Sequence, residues 1–233
     1  MTFRDARLKR ALIGLLGVAA MSSVQPAAAD TLRMTGYQTP PALTFQLTGP
    51  SMNVGAGGFS ATYTPTGGAP TSFVAYCIDL FQTFSFNSTF NVTPVSALSL
   101  FGATTTMALD RLYTQRFAAA DTNIESAAFQ LAVWEIIQES SGSYSLTGGA
   151  FRASATPSSN TNDLAAITMG NTWLGGLGSG ASGGYTLTAL TSGTRQDQMM
   201  ATPIPEPETY MMLLAGLGLM GFVARRRQRA LAA

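Results

Sequence analysis

Apolar and polar residues divide the chain into an apolar run at each end and a body whose character changes from strand-like to helical. Residues 30 to 93 are rich in Thr, Phe, Tyr, Val and Gly with few charges, which predicts short strands between Gly and Pro turns. The candidates are Thr31 to Tyr37, Leu43 to Leu47, Gly58 to Tyr63, Phe73 to Phe81 and Thr83 to Val92. In Phe73 to Phe81 the apolar residues are continuous, so this strand is expected to be central with both faces covered. Thr106 to Ala119 then sets Leu109, Leu112, Tyr113 and Phe117 at helical spacing. Ile124 to Glu139 opens on Thr122-Asn123-Ile124-Glu125, a capping-box pattern, with Gly142 as the expected stop. Tyr144 to Phe151 is a candidate strand, followed by a polar loop, a third helix over Leu164 to Leu174, and a Gly/Ser-rich loop over Gly175 to Gly184. Tyr185 to Leu190 is expected to be the last strand, with a polar linker from Thr191 toward Pro203. This order predicts an α+β fold: a mostly antiparallel β sandwich or barrel-like N-terminal part with an inserted helical subdomain.

The ends carry targeting signals. Arg4, Arg7, Lys9 and Arg10 precede the apolar run Ala11 to Met21 and then Ala27-Ala28-Ala29, which reads as a signal peptide over 1–29, cut after Ala29. A retained anchor is the competing reading, but the run is short for a hydrocarbon core of ~30 Å. The body is assigned to 30–200, a Pro/Glu linker to 201–209, a transmembrane helix to 210–224 and a basic cytoplasmic tail to 225–233. At ~1.5 Å per residue, the uncharged run Tyr210 to Ala224 makes a helix only about 22 Å long, which suits a temporary anchor. The arginines that follow should keep its C-terminal end in the cytoplasm and leave the body outside. Pro205-Glu206-Pro207, the short apolar helix and the cluster Arg225, Arg226, Arg227 and Arg229 together resemble the PEP-CTERM sorting signal of Gram-negative bacteria. The resemblance implies processing by an exosortase, in cells that commonly make exopolysaccharide. The chain would be held transiently at the inner membrane, then reach the cell surface or extracellular matrix. A plain C-terminal anchor is the alternative.

Composition narrows the chemistry. Hydrophobic residues make up 46% of the chain and charged residues 11%, which excludes highly charged disorder. The net charge of +1 hides an uneven layout: residues 30 to 204 carry five basic and nine acidic residues, a net of −4, so no nucleic-acid footprint is expected. There is no histidine, and the only lysine is Lys9 in the signal peptide. Ser-His-Asp and Cys-His nucleophiles, histidine-bound metals, Ser-Lys dyads and Schiff bases are thereby excluded. No cofactor or metal is expected.

Two residues remain. The lone cysteine, Cys77, cannot form an intramolecular disulfide, and its place in a continuous apolar strand suggests burial. Gln130 has Ala127, Val133, Trp134 and Ile137 as helical neighbours, so its amide faces an apolar surface and needs hydrogen bonds or a chemical reason to be there. Tyr76-Cys77-Ile78 on a strand, followed by Phe129-Gln130-Leu131-Ala132-Val133-Trp134 on a helix, resembles the Cys-Gln thioester domain of bacterial surface proteins. Phe129 stands where that family often has Thr. The resemblance implies a thioester between Cys77 and Gln130 that acts as an acyl donor. A nucleophile on a target attacks the former Gln130 carbonyl and Cys77 leaves as thiolate. An unreacted relic of the same fold and an unrelated buried cysteine are the alternatives.

Without histidine there is no evident base to activate a hydroxyl, so an amine on the surface or matrix target is the expected nucleophile. The event is single-turnover, which makes the protein an adhesin-like reagent and not an enzyme. Trp134 either shields the thioester or is an ordinary core aromatic. Asp79 is either a buried acceptor on the strand face of Cys77 or, as the residues favour, a strand-edge group in solvent. Glu135 and Glu139 share a helix face, but a solvated helix edge accounts for them better than a glycosidase pair. The stronger rival is a non-covalent component of an exopolysaccharide or biofilm matrix. It would suit the low charge and the N-x-Thr patterns at Asn87-Ser88-Thr89 and Asn91-Val92-Thr93.

Overall fold

The computed structural model describes residues 29–139, 142–156, 161–205 and 211–221. Among the described residues of the body, nine strands and three α-helices follow in the order β1 (Asp30–Tyr37), β2 (Leu43–Thr48), β3 (Met52–Ala56), β4 (Phe59–Thr64), β5 (Thr71–Cys77), β6 (Thr89–Ser96), α1 (Ala97–Arg116), α2 (Asn123–Gln138), β7 (Arg152–Ala155), α3 (Thr161–Gly176), β8 (Tyr185–Thr191) and β9 (Gln198–Pro203). Six strands close an antiparallel barrel in the order β1-β4-β5-β9-β8-β6, and β3-β2-β7 form a separate antiparallel sheet.

The helices are inserted between β6 and β8, as expected, but the barrel is not an N-terminal unit: β8 and β9 complete it. The region read as a polar linker after Thr191 contains β9, whose Gln198 and Met199 are fully buried. It closes the gap between β5 and β8, with Cys77 opposite Gln198 and Tyr76 opposite Met199. That demand comes from distant strands, so local polarity could not reveal it. β9 also carries the body past residue 200, to Pro203.

The strand expected over Phe73 to Phe81 spans Thr71–Cys77, and the one expected over Thr83 to Val92 begins at Thr89. Between them the chain leaves the barrel. Phe84 and Phe86 pack with Phe59 and Tyr37 at ring separations of 5.0 to 5.9 Å, while Phe81 is 73% exposed. β5 is central as expected, between β4 and β9, and Ala75, Tyr76 and Cys77 are buried in succession, so both its faces are covered, while the aromatic cluster is built from Phe84 and Phe86 of the segment that follows. β3 lies in a stretch without a strand-like pattern, Tyr144 to Phe151 is irregular, and β7 starts just after it. The first helix begins at Ala97, capped by Ser96, and breaks at Gly102, whose φ of 78° favours glycine. The third extends two to three residues beyond each end of the expected run.

α2 lies at the centre of the core. Every residue from Ser126 to Ile136 is buried, the signature of a helix covered all round, and the capping box at Thr122 and Glu125 is present. The helix ends at Gln138, before the expected stop at Gly142, which has a φ of 73°. The signal peptide lies outside the described residues, apart from Ala29. Residues 211–221 are helical with exposed apolar side chains, and the expected 210–224 span extends at both ends outside the described residues. Among the described residues no helix is long and apolar enough to cross a membrane.

Glu135 and Glu139 are not on a solvated edge. Glu135 is fully buried and Glu139 is 8% exposed. They hold the irregular segment that follows α2, with Ser145 N–H donating to Glu135 at 2.7 Å and Ala150 N–H to Glu139 at 2.8 Å. Burial raises the Glu135 pKa from its ordinary 4.5 to about 7, with Glu139 adding to the rise and the Ser145 N–H opposing it. Between those two values the folded chain holds a proton that the unfolded chain has lost, so stability falls as pH rises through the window, by at most about 3 kcal/mol. Thermal melts should therefore show the wild type losing stability between pH 5 and pH 8. Glu135→Gln, which keeps the acceptor for Ser145, should flatten that dependence.

Candidate functional site

Cys77 is the last residue of β5 and Gln130 lies in the middle of α2, both about 1% exposed. The Cys77 N–H donates to Gln130 Oε1 at 2.8 Å, and Gln130 Nε2 donates to the Cys77 carbonyl at 2.8 Å. A buried amide is satisfied at both ends by one residue, the one that carries the thiol. The side-chain carbonyl of Gln130 is polarised by the Cys77 N–H and held against that residue.

The thiol donates to the backbone carbonyl of Asp79 at 2.7 Å, and Gln196 Nε2 donates to the same carbonyl at 2.8 Å. Burial pushes the Cys77 thiol pKa well up, and the negative charges of Asp79 and Asp197 add to this. The Asp79 backbone contact and the Trp134 indole work the other way. Burial likewise raises the Asp197 carboxyl. Cys77 and Trp134 line a cleft of about 420 Å³ walled by Tyr37, Phe59, Phe81, Phe84, Phe86 and Gln196 among others, so the sulfur lies at the floor of an aromatic, uncharged opening.

The other sequence candidates fall around this pair. Trp134, 2% exposed, stands one turn beyond Gln130. Asp79 is not on the strand face of Cys77, because β5 ends two residues earlier. Its carboxylate accepts from Phe81 N–H at 2.8 Å, and only its backbone carbonyl meets the thiol. Tyr76 points away into a cluster with Phe129, Phe117 and Tyr113, at centroid separations of 4.5, 6.1 and 6.5 Å. Burial raises its phenol pKa to about 12. Phe129 belongs to that cluster, so the residue that differs from the family habit fills core and does not crowd the Cys77–Gln130 contact. Of the sorting residues, Pro205 is exposed, while Glu206, Pro207, Arg225, Arg226 and Arg227 lie outside the described residues.

Sequence reasoning missed Gln196, Asp197 and Gln198, in the stretch taken for linker; Gln196 and Asp197 lie just before β9 and Gln198 opens it. It also missed Ser126, one turn before Gln130 on α2. The Ser126 hydroxyl accepts from Gly58 N–H at 2.8 Å and lies 3.4 Å from the Tyr76 hydroxyl, tying α2 to the barrel beside β5. Among the described residues no group of three or more acidic or cysteine side chains is placed to hold a metal.

Residues 203–227 match the PEP-CTERM protein-sorting motif, so the segment that follows β9 carries a sorting signal. The chain is similar to the N-terminal domain of the Streptococcus pyogenes pilus tip adhesin Cpa, with 14% identity, 79% of this chain and 97% of that chain covered, and a TM-score of 0.47. It is also similar to the N-terminal thioester domain of a surface protein from Clostridium perfringens, solved as a cysteine-to-alanine variant. There the identity is 12%, the coverage 62% of this chain and 89% of that chain, and the TM-score 0.38. No curated protein matches the chain.

Ser126 provides a direct test of how α2 is seated. Ser126→Ala leaves the buried Gly58 N–H without its acceptor, which should cost about 1 to 3 kcal/mol. Denaturant titration should show a lower midpoint with an unchanged slope.

Proposed function

We propose that the protein is an exported surface or matrix component, sorted through an exosortase, that uses a Cys77–Gln130 thioester to fix itself covalently to an amine on a target. The observation that supports this most directly is the pair of hydrogen bonds joining the Gln130 amide to the backbone of Cys77 in a water-poor core. In the forming step the Cys77 sulfur attacks the Gln130 side-chain carbonyl carbon. A C–S bond forms, the C–N bond breaks, and the nitrogen leaves as ammonia after taking the thiol proton. In the using step an amine attacks the same carbon, the C–S bond breaks with its electron pair going to sulfur, and a proton from the amine restores the thiol. The Cys77 N–H that donates to Gln130 Oε1 is placed to stabilise the oxygen charge of both tetrahedral intermediates. Each molecule reacts once, so the protein acts as a reagent and not as an enzyme.

A second reading, a non-covalent matrix protein, is favoured by the same two hydrogen bonds, since they satisfy the Gln130 amide without any covalent link. Intact mass separates the two. In the covalent reading the mature protein is lighter than its sequence by one ammonia, methylamine adds one amine and frees one thiol, and Cys77→Ser or Gln130→Ala abolishes the deficit. Glu135→Gln should leave it in place, because Glu135 hydrogen-bonds the Ser145 segment and makes no contact with Gln130 or Cys77 among those described. A wild-type mass equal to the sequence mass, with neither deficit nor a glutamate from hydrolysis at 130, rules the covalent reading out.

Sorting is tested separately. Neutral replacements of Arg225, Arg226, Arg227 and Arg229 remove the charge that orients the tail, so the protein should accumulate mis-oriented or unprocessed. Fractionation and gel size would report it, and unchanged export with unchanged size would contradict the assignment.

A further inference from the structure

Trp134 lines the same cleft as Cys77 and stands one turn beyond Gln130 on α2. The side chain is 2% exposed, and its Nε1–H has no hydrogen-bond partner among the described residues. A buried indole N–H normally finds an acceptor, because a donor kept dry and unpaired is costly. The other donors around the sulfur are already engaged. The Cys77 N–H is taken by Gln130 Oε1 and the Gln196 amide by the Asp79 carbonyl, each at 2.8 Å, and Gln198 Nε2 turns to Gln196 at 3.4 and 3.5 Å. As a thiol the sulfur needs none of them, since it donates its own proton to the Asp79 carbonyl. As a thiolate it has lost that bond and faces a carbonyl oxygen, so it requires a donor.

We propose that the Trp134 indole N–H is the donor that receives the negative charge on the Cys77 sulfur when the thioester opens, which makes Trp134 a leaving-group residue as well as a wall of the cleft. The acyl-transfer part of this inference rests on the thioester reading, whereas its consequence for the free thiol does not. When an amine attacks the Gln130 acyl carbon, the C–S electron pair passes to sulfur, the indole N–H stabilises it, and a proton lost by the amine then returns it to the thiol. The surrounding charges give no help. Asp79 and Asp197 oppose a thiolate, burial and the Cys77 charge push the Tyr37 phenol pKa up, and among the described residues no cationic side chain lines the opening. With no histidine in the chain and no lysine beyond Lys9, a neutral N–H is what the site offers in place of a cation.

The test has two arms on the mature exported protein. In the Gln130→Ala protein, which has a free thiol whether or not the wild type forms the bond, the iodoacetamide alkylation rate is followed against pH. Adding Trp134→Phe, which keeps an aromatic wall and removes only the N–H, should move the midpoint upward by about one unit, roughly a tenfold loss of thiolate at a fixed pH. In the protein with Gln130 intact, Trp134→Phe should slow methylamine opening of the thioester about tenfold or more, followed by loss of the mass deficit. If Trp134→Phe does not fold, replacing both tryptophans by an isosteric benzothiophene analogue lacking the N–H reads the same two quantities. An unchanged midpoint overturns the proposal even if aminolysis slows, because a mere wall could slow the reaction without touching the thiol. A shifted midpoint in a protein whose wild type shows no mass deficit upholds the donor and overturns the thioester reading instead.

Discussion

The two hydrogen bonds by which Gln130 grips the backbone of Cys77 govern how the helical insert meets the barrel. α2 is apolar on nearly every side, and apolar contact is non-directional, so packing alone leaves the helix free to settle at several rotations and heights. One buried amide with two fixed partners removes that freedom. Once Gln130 is placed, the helical repeat dictates the rest. Phe129 turns into the aromatic cluster, Trp134 comes up beneath the cleft, Glu135 reaches the segment after the helix, and Ser126 meets Gly58 one turn earlier.

The dryness that this packing creates acts on the chemistry in two directions. It raises the free energy of a thiolate at Cys77, so the resting cysteine is a poor nucleophile and a poor metal ligand. In the proposed thioester the same burial would shield the acyl link from water, while the aromatic cleft that Cys77 and Trp134 line would admit a small nucleophile. Glu135, five residues further along α2 than Gln130, experiences the same environment and responds by holding its proton.

The helical core and the two central residues were legible from sequence because their signals are local. The capping box at Thr122, the spacing of Leu109, Leu112 and Tyr113, and an isolated glutamine among apolar neighbours each need only a few residues to be read. What escaped depends on distant partners. β9 looks polar because its Gln198 is buried by pairing opposite Cys77. The stretch through Phe84 and Phe86 looks like a strand because packing against Phe59 and Tyr37 needs the same apolar residues. Glu135 and Glu139 look like a wet edge because the backbone N–H groups that bury them lie ten or more residues further on.

β9 is the last strand of the barrel, and it runs to Pro203, where the sorting motif begins. In the proposed covalent capture, tension between the sorted tail and a target held at Gln130 would enter the domain through this strand. It is secured by six registered pairs with β8 and by two with β5 at the residues beside the thiol. The mechanical limit of the domain under such a load would be set by how β9 peels from its neighbours, and that strand is also the one that closes the barrel beside Cys77.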